Sequence, residues 1–222
     1  MDIRSAFHKK LQEIQDQIVV MGNMVEVATT RSVESLKKQD LTLARQVMAD
    51  DQKINRQRFD IEEKCIQLIA TQQPMASDLR IIVSVLNIIT EIERMGDYAE
   101  GIAKITIMIG DEPLLKPLVD IPRMAEKTNE MLRRSLRAFI ERDADTARKI
   151  ANEDDDVDHL YDQVFRELLS FMIEDPRTIS RATRLIWVAH NLERSADRVT
   201  NICERVAYIV TGKMEEMGQP SY

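Results

Sequence analysis

Aromatic residues, glycine and proline are scarce in this sequence of 222 residues. Aromatics make up 5% of it, and there are six glycines and six prolines. Because glycine and proline most often end helices and form turns, their scarcity predicts few, long elements. The sequence has no stretch of alternating polar and apolar residues that would indicate a strand. A hydrophobic fraction of 44% is enough for a core and is not typical of a disordered chain.

Several functional signatures are also missing. The two cysteines, Cys65 and Cys203, have no metal or redox spacing, and we interpret them as buried small residues in a reducing cytoplasm. The net charge of −7 argues against broad nucleic-acid binding. The longest apolar run, 81–89, is too short for a bilayer, and the chain starts without an apolar signal core. We predict a cytoplasmic protein that meets membranes only through partners.

Apolar residues recur at spacings of four and three, the pattern of long helices in bundles. One such seam is Phe7, Leu11, Ile14, Ile18, Met21 and Val25, and a second is Val47, Ile54, Ile61, Cys65 and Leu68. Pro74 ends the second helix because proline has no N–H to donate. A third helix is predicted over 77–110, and the proline-containing stretch 111–117 reads as a linker.

The second half of the chain repeats the first. A shift of 103 residues places Asp40 on Asp143, and after the third helix begins a shift of 100 places Glu93 on Glu193. The sequence therefore predicts an all-α protein of six long helices in two tandem antiparallel three-helix bundles related by internal duplication, with units at 1–111 and 118–222. The long flanks of such a molecule favour a homodimer.

Polar side chains interrupt the apolar seams at matching places in the two units. Asp51 and Asp154 fall on the seam of the second helix, while Glu93 and Glu193 continue the apolar stripe of the third. A second polar group follows one turn later, so that the set is Asp51, Asn55, Glu93, Asp97, Asp154, Asp158, Glu193 and Asp197. Residues four apart share a helix face, so each motif presents two oxygen-bearing groups together.

Buried carboxylates need a partner, and two kinds are available. Oxygen clusters suit hard cations such as iron, manganese, magnesium or calcium, and zinc is less favoured without a Cys/His set. Pairing with arginine is the alternative, and the nearby arginines are Arg45, Arg58, Arg94, Arg148, Arg194 and Arg198. The repetition of the motif favours cations. His159 and His190 are interpreted as incidental, and Trp187 with Met21, Met24, Met124 and Met131 as core. No nucleophile–base pair or phosphate loop is visible, so we predict no enzyme.

The run Pro74-x-Ala76-x-Asp78-Leu79-Arg80, the motif Glu93-Arg94-x-x-Asp97 and its repeat Glu193-Arg194-x-x-Asp197 resemble the PhoU family over essentially the whole chain. The resemblance implies two three-helix bundles and a non-enzymatic role. It implies a negative regulator of the phosphate-starvation response and of phosphate uptake, which links the ATPase subunit of a phosphate ABC transporter to a sensor histidine kinase.

The same resemblance implies metal clusters on the paired acidic motifs. Asn55 departs from the family pattern, since an acid is expected there, and the first site should hold cations less well than the second. Two other functions remain open. A ferritin-like carboxylate-bridged iron protein would need Glu-x-x-His motifs, which this chain lacks, and a purely structural helical scaffold would bind neither metal nor partner.

Overall fold

A computed structural model describes residues 3–218, with side chains from residue 7 onward. The described residues form seven α-helices and one short 3₁₀ helix, Pro176–Thr178, which confirms the all-α prediction. In chain order, α1 to α7 are Ile3–Lys38, Leu41–Gln72, Ser77–Ile109, Asp120–Glu141, Ala144–Ala151, Asp154–Glu174 and Ile179–Thr211.

The two units have the same plan, with one difference. The first unit is α1–α3, and the second is α4–α7, because the helix that corresponds to α2 is divided into α5 and α6. The prediction of one long helix there was wrong. Three consecutive aspartates, Asp154 to Asp156, occupy the first turn of α6. Three adjacent aspartates repel one another in the middle of a helix, but the positive N-terminal end of the helix dipole stabilises them. A new helix that starts at Asp154 is therefore favoured over a continuous one.

Matching local contacts support the duplication. Asp40 accepts hydrogen bonds from the backbone N–H groups of Thr42 and Leu43 at the start of α2. Asp143 does the same for Thr146 at the start of α5. These caps satisfy N–H groups that the first helical turn leaves free. The predicted unit boundaries, 1–111 and 118–222, stay a prediction, and residues 1–2 and 219–222 lie outside the described residues.

The two units share one core. Helices α3 and α7 run antiparallel along each other, since Glu91 lies beside Arg198 and Gly101 approaches Asn191. A single cluster of buried apolar residues extends from α1 to α7. The contact between α3 and α7 thus places the acid-bearing helices of both units side by side at the centre of the molecule.

Most predicted core residues are buried, with one exception. Cys65 and Cys203 are buried and form no disulfide. Met21, Met124 and Met131 are also buried, and Met24 is partly buried against the core. The prediction for Trp187 was wrong, because its side chain is 50% exposed. The buried positions of α7 around it are Leu185, Val188, Ala189 and Leu192, which form the seam from which Trp187 points away.

None of the helices within the described residues has a stretch long and apolar enough to cross a lipid bilayer.

At Gly22, α1 approaches α4 closely. A Cβ atom on Gly22 would lie 2.3 Å from Leu136 Cδ1, and Leu136 is buried. Gly22→Val is therefore expected to destabilise the protein by about 1–3 kcal/mol, measured by urea unfolding, because overpacking separates the helices. Gly101→Val is the matched control, since its Cβ would meet the partly exposed Asn191 side chain at 3.4 Å, an ordinary contact. Equal stability of both variants would contradict the close packing.

Candidate functional site

The first cluster forms where α2 and α3 run antiparallel. Asp51 and Asn55 lie on α2, one turn apart, and face Glu93 and Asp97 on α3. All four are partly buried. The Asp51 side chain lies 3.4 Å from where a Cβ on Gly96 would be, which shows how closely the two helices approach there. The structure thus brings the four predicted residues of the first unit together.

Burial and like charge act together on the first cluster. Burial, together with the charges of Glu100, Asp97 and Glu93, raises the pKa of Asp51 to about 6. Burial and the charge of Asp97 also raise the pKa of Glu93. Loss of hydration and repulsion by neighbouring carboxylates both disfavour the ionised form, so this site is prepared for a positive charge.

Part of that positive charge is already supplied by arginine. Arg58 Nε lies 3.8 Å from Glu93 Oε1, and Arg94 Nη1 donates to Asp97 Oδ2 at 3.3 Å. Asn55 Nδ2 donates to Asp51 Oδ2 at 2.8 Å, so the amide holds the aspartate in place. In this cluster Glu93 and Asp97 are therefore paired with arginines, as the second of the two predicted kinds of partner.

The second cluster forms in the same way between α6 and α7. Asp154 and Asp158 lie in the first turns of α6, opposite Glu193 and Asp197 on α7. The carboxyl groups of Asp154 and Asp197 are within hydrogen-bonding reach of each other. Asp154 is the most buried of the eight predicted residues, with 6% of its surface exposed. The four predicted residues of the second unit therefore also converge.

The second cluster has fewer partners than the first. Asp154 Oδ1 and Glu193 Oε2 are buried and make no hydrogen bond, although His190 Nδ1 lies 3.2 Å from the latter. In the described part of the chain, no arginine or lysine lies within 4.0 Å of Asp154, Asp158, Glu193 or Asp197 as an ion pair. A buried carboxylate oxygen without a donor is costly, so this cluster has an unmet demand for a proton or a cation.

The pKa values of all four carboxyl groups in the second cluster are raised, which also favours a bound proton or cation. Burial, together with the charges of Asp197, Asp158 and Glu193, raises the pKa of Asp154 to about 7. Burial likewise raises the pKa of Glu193 to about 7. The pKa values of Asp158 and Asp197 are also raised, mainly by burial, although Arg198 and Arg194 partly offset the rise at Asp197.

The donor set fits a hard cation, but the side chains are not yet arranged as ligands. Among residues 3–218, no three His, Cys, Asp or Glu side chains surround a point that a metal ion would occupy. The unpartnered oxygens of Asp154 and Glu193 are nevertheless of the kind that magnesium, manganese, calcium and iron bind.

Two histidines and one glutamate complete the description. His159 is exposed, and His190 is exposed beside Tyr161, with ring centroids 6.0 Å apart. Glu100 belongs to the first cluster and was not predicted, although it continues the face of Glu93 and Asp97 at a spacing of seven from Glu93. That heptad spacing is the signal that would have found it.

Comparisons with known proteins agree over nearly the whole chain. The PhoU domain family matches residues 18–106 and 121–206, one match in each unit. A phosphate-specific transport system accessory protein PhoU homolog from Aquifex aeolicus is 42% identical over 93% of this chain and 93% of its own length. The accessory protein PhoU from Escherichia coli K12 is 35% identical over 95% of this chain and 88% of its own.

Solved structures give the same result. The crystal structure of PhoU from Pseudomonas aeruginosa superimposes with a TM-score of 0.87 at 36% identity, covering 93% of this chain and all of that one. The regulatory protein PhoU from Streptococcus pneumoniae gives 0.88 at 29% identity, covering 95% of this chain. None of these names is that of an enzyme. Two matched domains, these identities and the shared fold show that the chain belongs to the PhoU family.

Proposed function

We propose that this chain is a cytoplasmic negative regulator of the phosphate-starvation response and of phosphate uptake. The observation that carries the proposal is the family match in both units, because relatives that are 35% to 42% identical are named as accessory proteins of the phosphate-specific transport system. The names of these relatives describe an accessory protein and not an enzyme, and we assign this chain no catalytic role. It would act as an adaptor between the transporter's ATPase subunit and a sensor histidine kinase, as a homodimer.

Cation binding at the acidic clusters is part of the same proposal. Asp154, Asp158, Glu193 and Asp197 would hold a hard cation in the second unit, and Asp51, Asn55, Glu93 and Asp97 a weaker one in the first. The bound cation would supply the positive charge that the clustered carboxylates lack. Occupancy would therefore stiffen the contact between α6 and α7, because mutual repulsion of the acids is removed.

Deletion of the gene in its own host tests the regulatory role. In phosphate-rich medium the deletion strain is expected to show alkaline phosphatase activity well above that of the parent, since the restraint on the kinase is lost. Phosphatase activity in colony extracts is the measurement, and the intact gene on a plasmid should restore repression. Unchanged phosphatase in the deletion strain would refute the regulatory proposal.

Affinity capture from native membranes tests the adaptor role separately. The tagged chain should retain the transporter's ATPase subunit and the histidine kinase from cells grown with phosphate. Capture of neither, together with an unchanged phosphatase level, would favour the purely structural scaffold. No observation favours the ferritin-like alternative, because all three described histidines are exposed and none of them has a glutamate three residues before it.

A further inference from the structure

Large apolar side chains are exposed around the tip of the hairpin that α6 and α7 form. They are Phe165, Leu169, Ile173, Ile179 and Trp187, and each has between 40% and 75% of its surface exposed. The three on α6 are four residues apart, so they share one face of that helix. The two on α7 lie within its first three turns, next to the end of α6. Soluble proteins rarely expose this many large apolar residues together unless the surface binds a partner. We call these five residues the tip surface.

Aromatic rings join the tip surface to the second acidic cluster. The ring of Phe165 lies beside that of Tyr161, with centroids 6.4 Å apart, and the Tyr161 ring lies 6.0 Å from that of His190. His190 Nδ1 is in turn 3.2 Å from Glu193 Oε2. Burial and the charge of Glu193 raise the pKa of Tyr161, as expected for a phenol near that carboxylate. The tip surface and the acids are therefore neighbouring parts of one surface.

The first unit has its own cation at the place where the second has Tyr161. Under the shift of 103, Arg58 corresponds to Tyr161, and Arg58 Nε lies 3.8 Å from Glu93 Oε1. In the second unit, no arginine or lysine of the described chain forms an ion pair with Glu193 within 4.0 Å, and Glu193 Oε2 makes no hydrogen bond. The second cluster thus lacks the positive charge that an arginine supplies in the first.

The same cluster has a second oxygen without a partner and is open to long side chains from solvent. Asp154 has 6% of its surface exposed, and its Oδ1 makes no hydrogen bond. The other three acids, Asp158, Glu193 and Asp197, are partly exposed. Buried carboxylates need a positive charge close by. Charge complementarity therefore favours a partner that brings a cation to this surface together with apolar side chains.

We propose that the tip surface binds an amphipathic helix of a partner protein, which covers Leu169 and Ile173 and extends a lysine or arginine along the Tyr161 ring to Glu193. This inference rests on the proposed adaptor role and requires no metal ion. Tyr161 is eight residues from Leu169, about 12 Å along α6, so the cation belongs about two helical turns from the apolar residues of the partner. The apolar stem of a lysine or arginine packs well on an aromatic ring.

A second copy of this chain is the other occupant to consider. A two-fold contact would pair the tip surface with itself, and none of its five residues carries a positive charge. Such a contact would bury apolar area but would leave Glu193 without a cation. The unpaired carboxylates therefore favour a different protein, one with a lysine or arginine beside its apolar stripe.

Site-specific photo-cross-linking in the native host tests the proposal on the full chain. The photoreactive amino acid p-benzoylphenylalanine takes the place of Leu169, and mass spectrometry identifies the cross-linked segment. Ser170 is the matched control position, because it is also exposed on α6 but points about 100° away from Leu169 around the helix axis.

We expect position 169 to cross-link to another protein, in a segment with apolar residues at helical spacing and a lysine or arginine about two turns away. A synthetic peptide of that segment should bind the purified chain, and glutamine in place of its lysine or arginine should weaken binding at least about tenfold. Cross-links to a second copy alone, to a segment without this pattern, or no more than from position 170 would each overturn the proposal.

Leu169→Glu separates the docking surface from the other proposed roles. In phosphate-rich medium this variant should show raised alkaline phosphatase, while its Mn²⁺ binding and its urea unfolding midpoint stay at the parental values. Ile66→Glu is the matched control and should keep repression, since Ile66 corresponds to Leu169 under the shift of 103 and is also exposed. Full repression by Leu169→Glu, with raised phosphatase in the deletion strain, would overturn the docking surface and leave the regulatory role standing.

Discussion

Asp154→Asn combined with Glu193→Gln is expected to lower the affinity of the chain for Mn²⁺ at the second unit by at least about tenfold, the usual effect of losing ligands or their supports. These two residues carry the buried oxygens without a hydrogen-bond partner. Their amide replacements keep the volume and remove the charge, so a change in binding reflects electrostatics and ligand chemistry. Titration of the metal-free protein, followed by the electron paramagnetic resonance of free Mn²⁺, gives both affinity and number of sites.

The first unit provides the matched control. Asp51→Asn with Glu93→Gln makes the same chemical change, but Glu93 already has Arg58 and Arg94 as neighbours, and Asp51 already accepts from Asn55. We expect a smaller loss of total Mn²⁺ binding, below about threefold, because arginine competes with a cation for these carboxylates. An equal loss from both pairs of substitutions would contradict the proposed inequality of the two units.

The stability of the metal-free protein is expected to fall as pH rises from about 4 to above 7, where the buried acids ionise. Asp154 has a folded pKa of about 7, above its ordinary value, so its contribution to stability is fully present below the unfolded pKa and is lost as pH rises through the folded pKa. Glu193, also with a pKa of about 7, acts in the same direction. Together they should cost about 1–3 kcal/mol, after allowance for partial solvent screening.

Urea unfolding at pH 5 and pH 8, in the presence of a chelator, measures this cost. Asp154→Asn should be more stable than the parent at pH 8 and should show a weaker dependence on pH. Asp155→Asn is the control, because Asp155 is the neighbouring carboxylate and is exposed. A parent protein that becomes more stable from pH 5 to pH 8, without metal, would show that the cluster finds partners other than protons.

The acidic clusters were predictable because a heptad seam tolerates few polar residues. Asp51 and Glu93 lie on different helices, yet their places on two apolar seams were enough to predict that they face each other. The repeat added Asp154 and Glu193 by the same reasoning, and the structure brings both pairs together. Periodicity specifies which side of a helix faces the core, and short turns then force neighbouring helices to share that core.

Other features depend on information that periodicity lacks. Trp187 was assigned to the core from its residue type, but Leu185 and Val188 lie on the buried face of α7 and Trp187 does not. A run of acids follows the break at Asn152 and favours it, while the corresponding part of α2 stays continuous. The arginine partners of Glu93 and their absence around Glu193 depend on side-chain positions in space, which spacing along one helix does not determine.

The chain joins two similar halves covalently, and α3 and α7 pack them around one continuous core. Two separate copies of one unit would have to be identical, and every contact across their axis would occur twice. Here Glu91 meets Arg198 and Asn201, whereas the equivalent places hold Asn191, Tyr98 and Gly101. The covalent connection keeps the halves at high effective concentration, and each half can have different residues at equivalent positions. One half has arginines beside its acids, and the other leaves an oxygen of Asp154 and an oxygen of Glu193 without a hydrogen-bond partner.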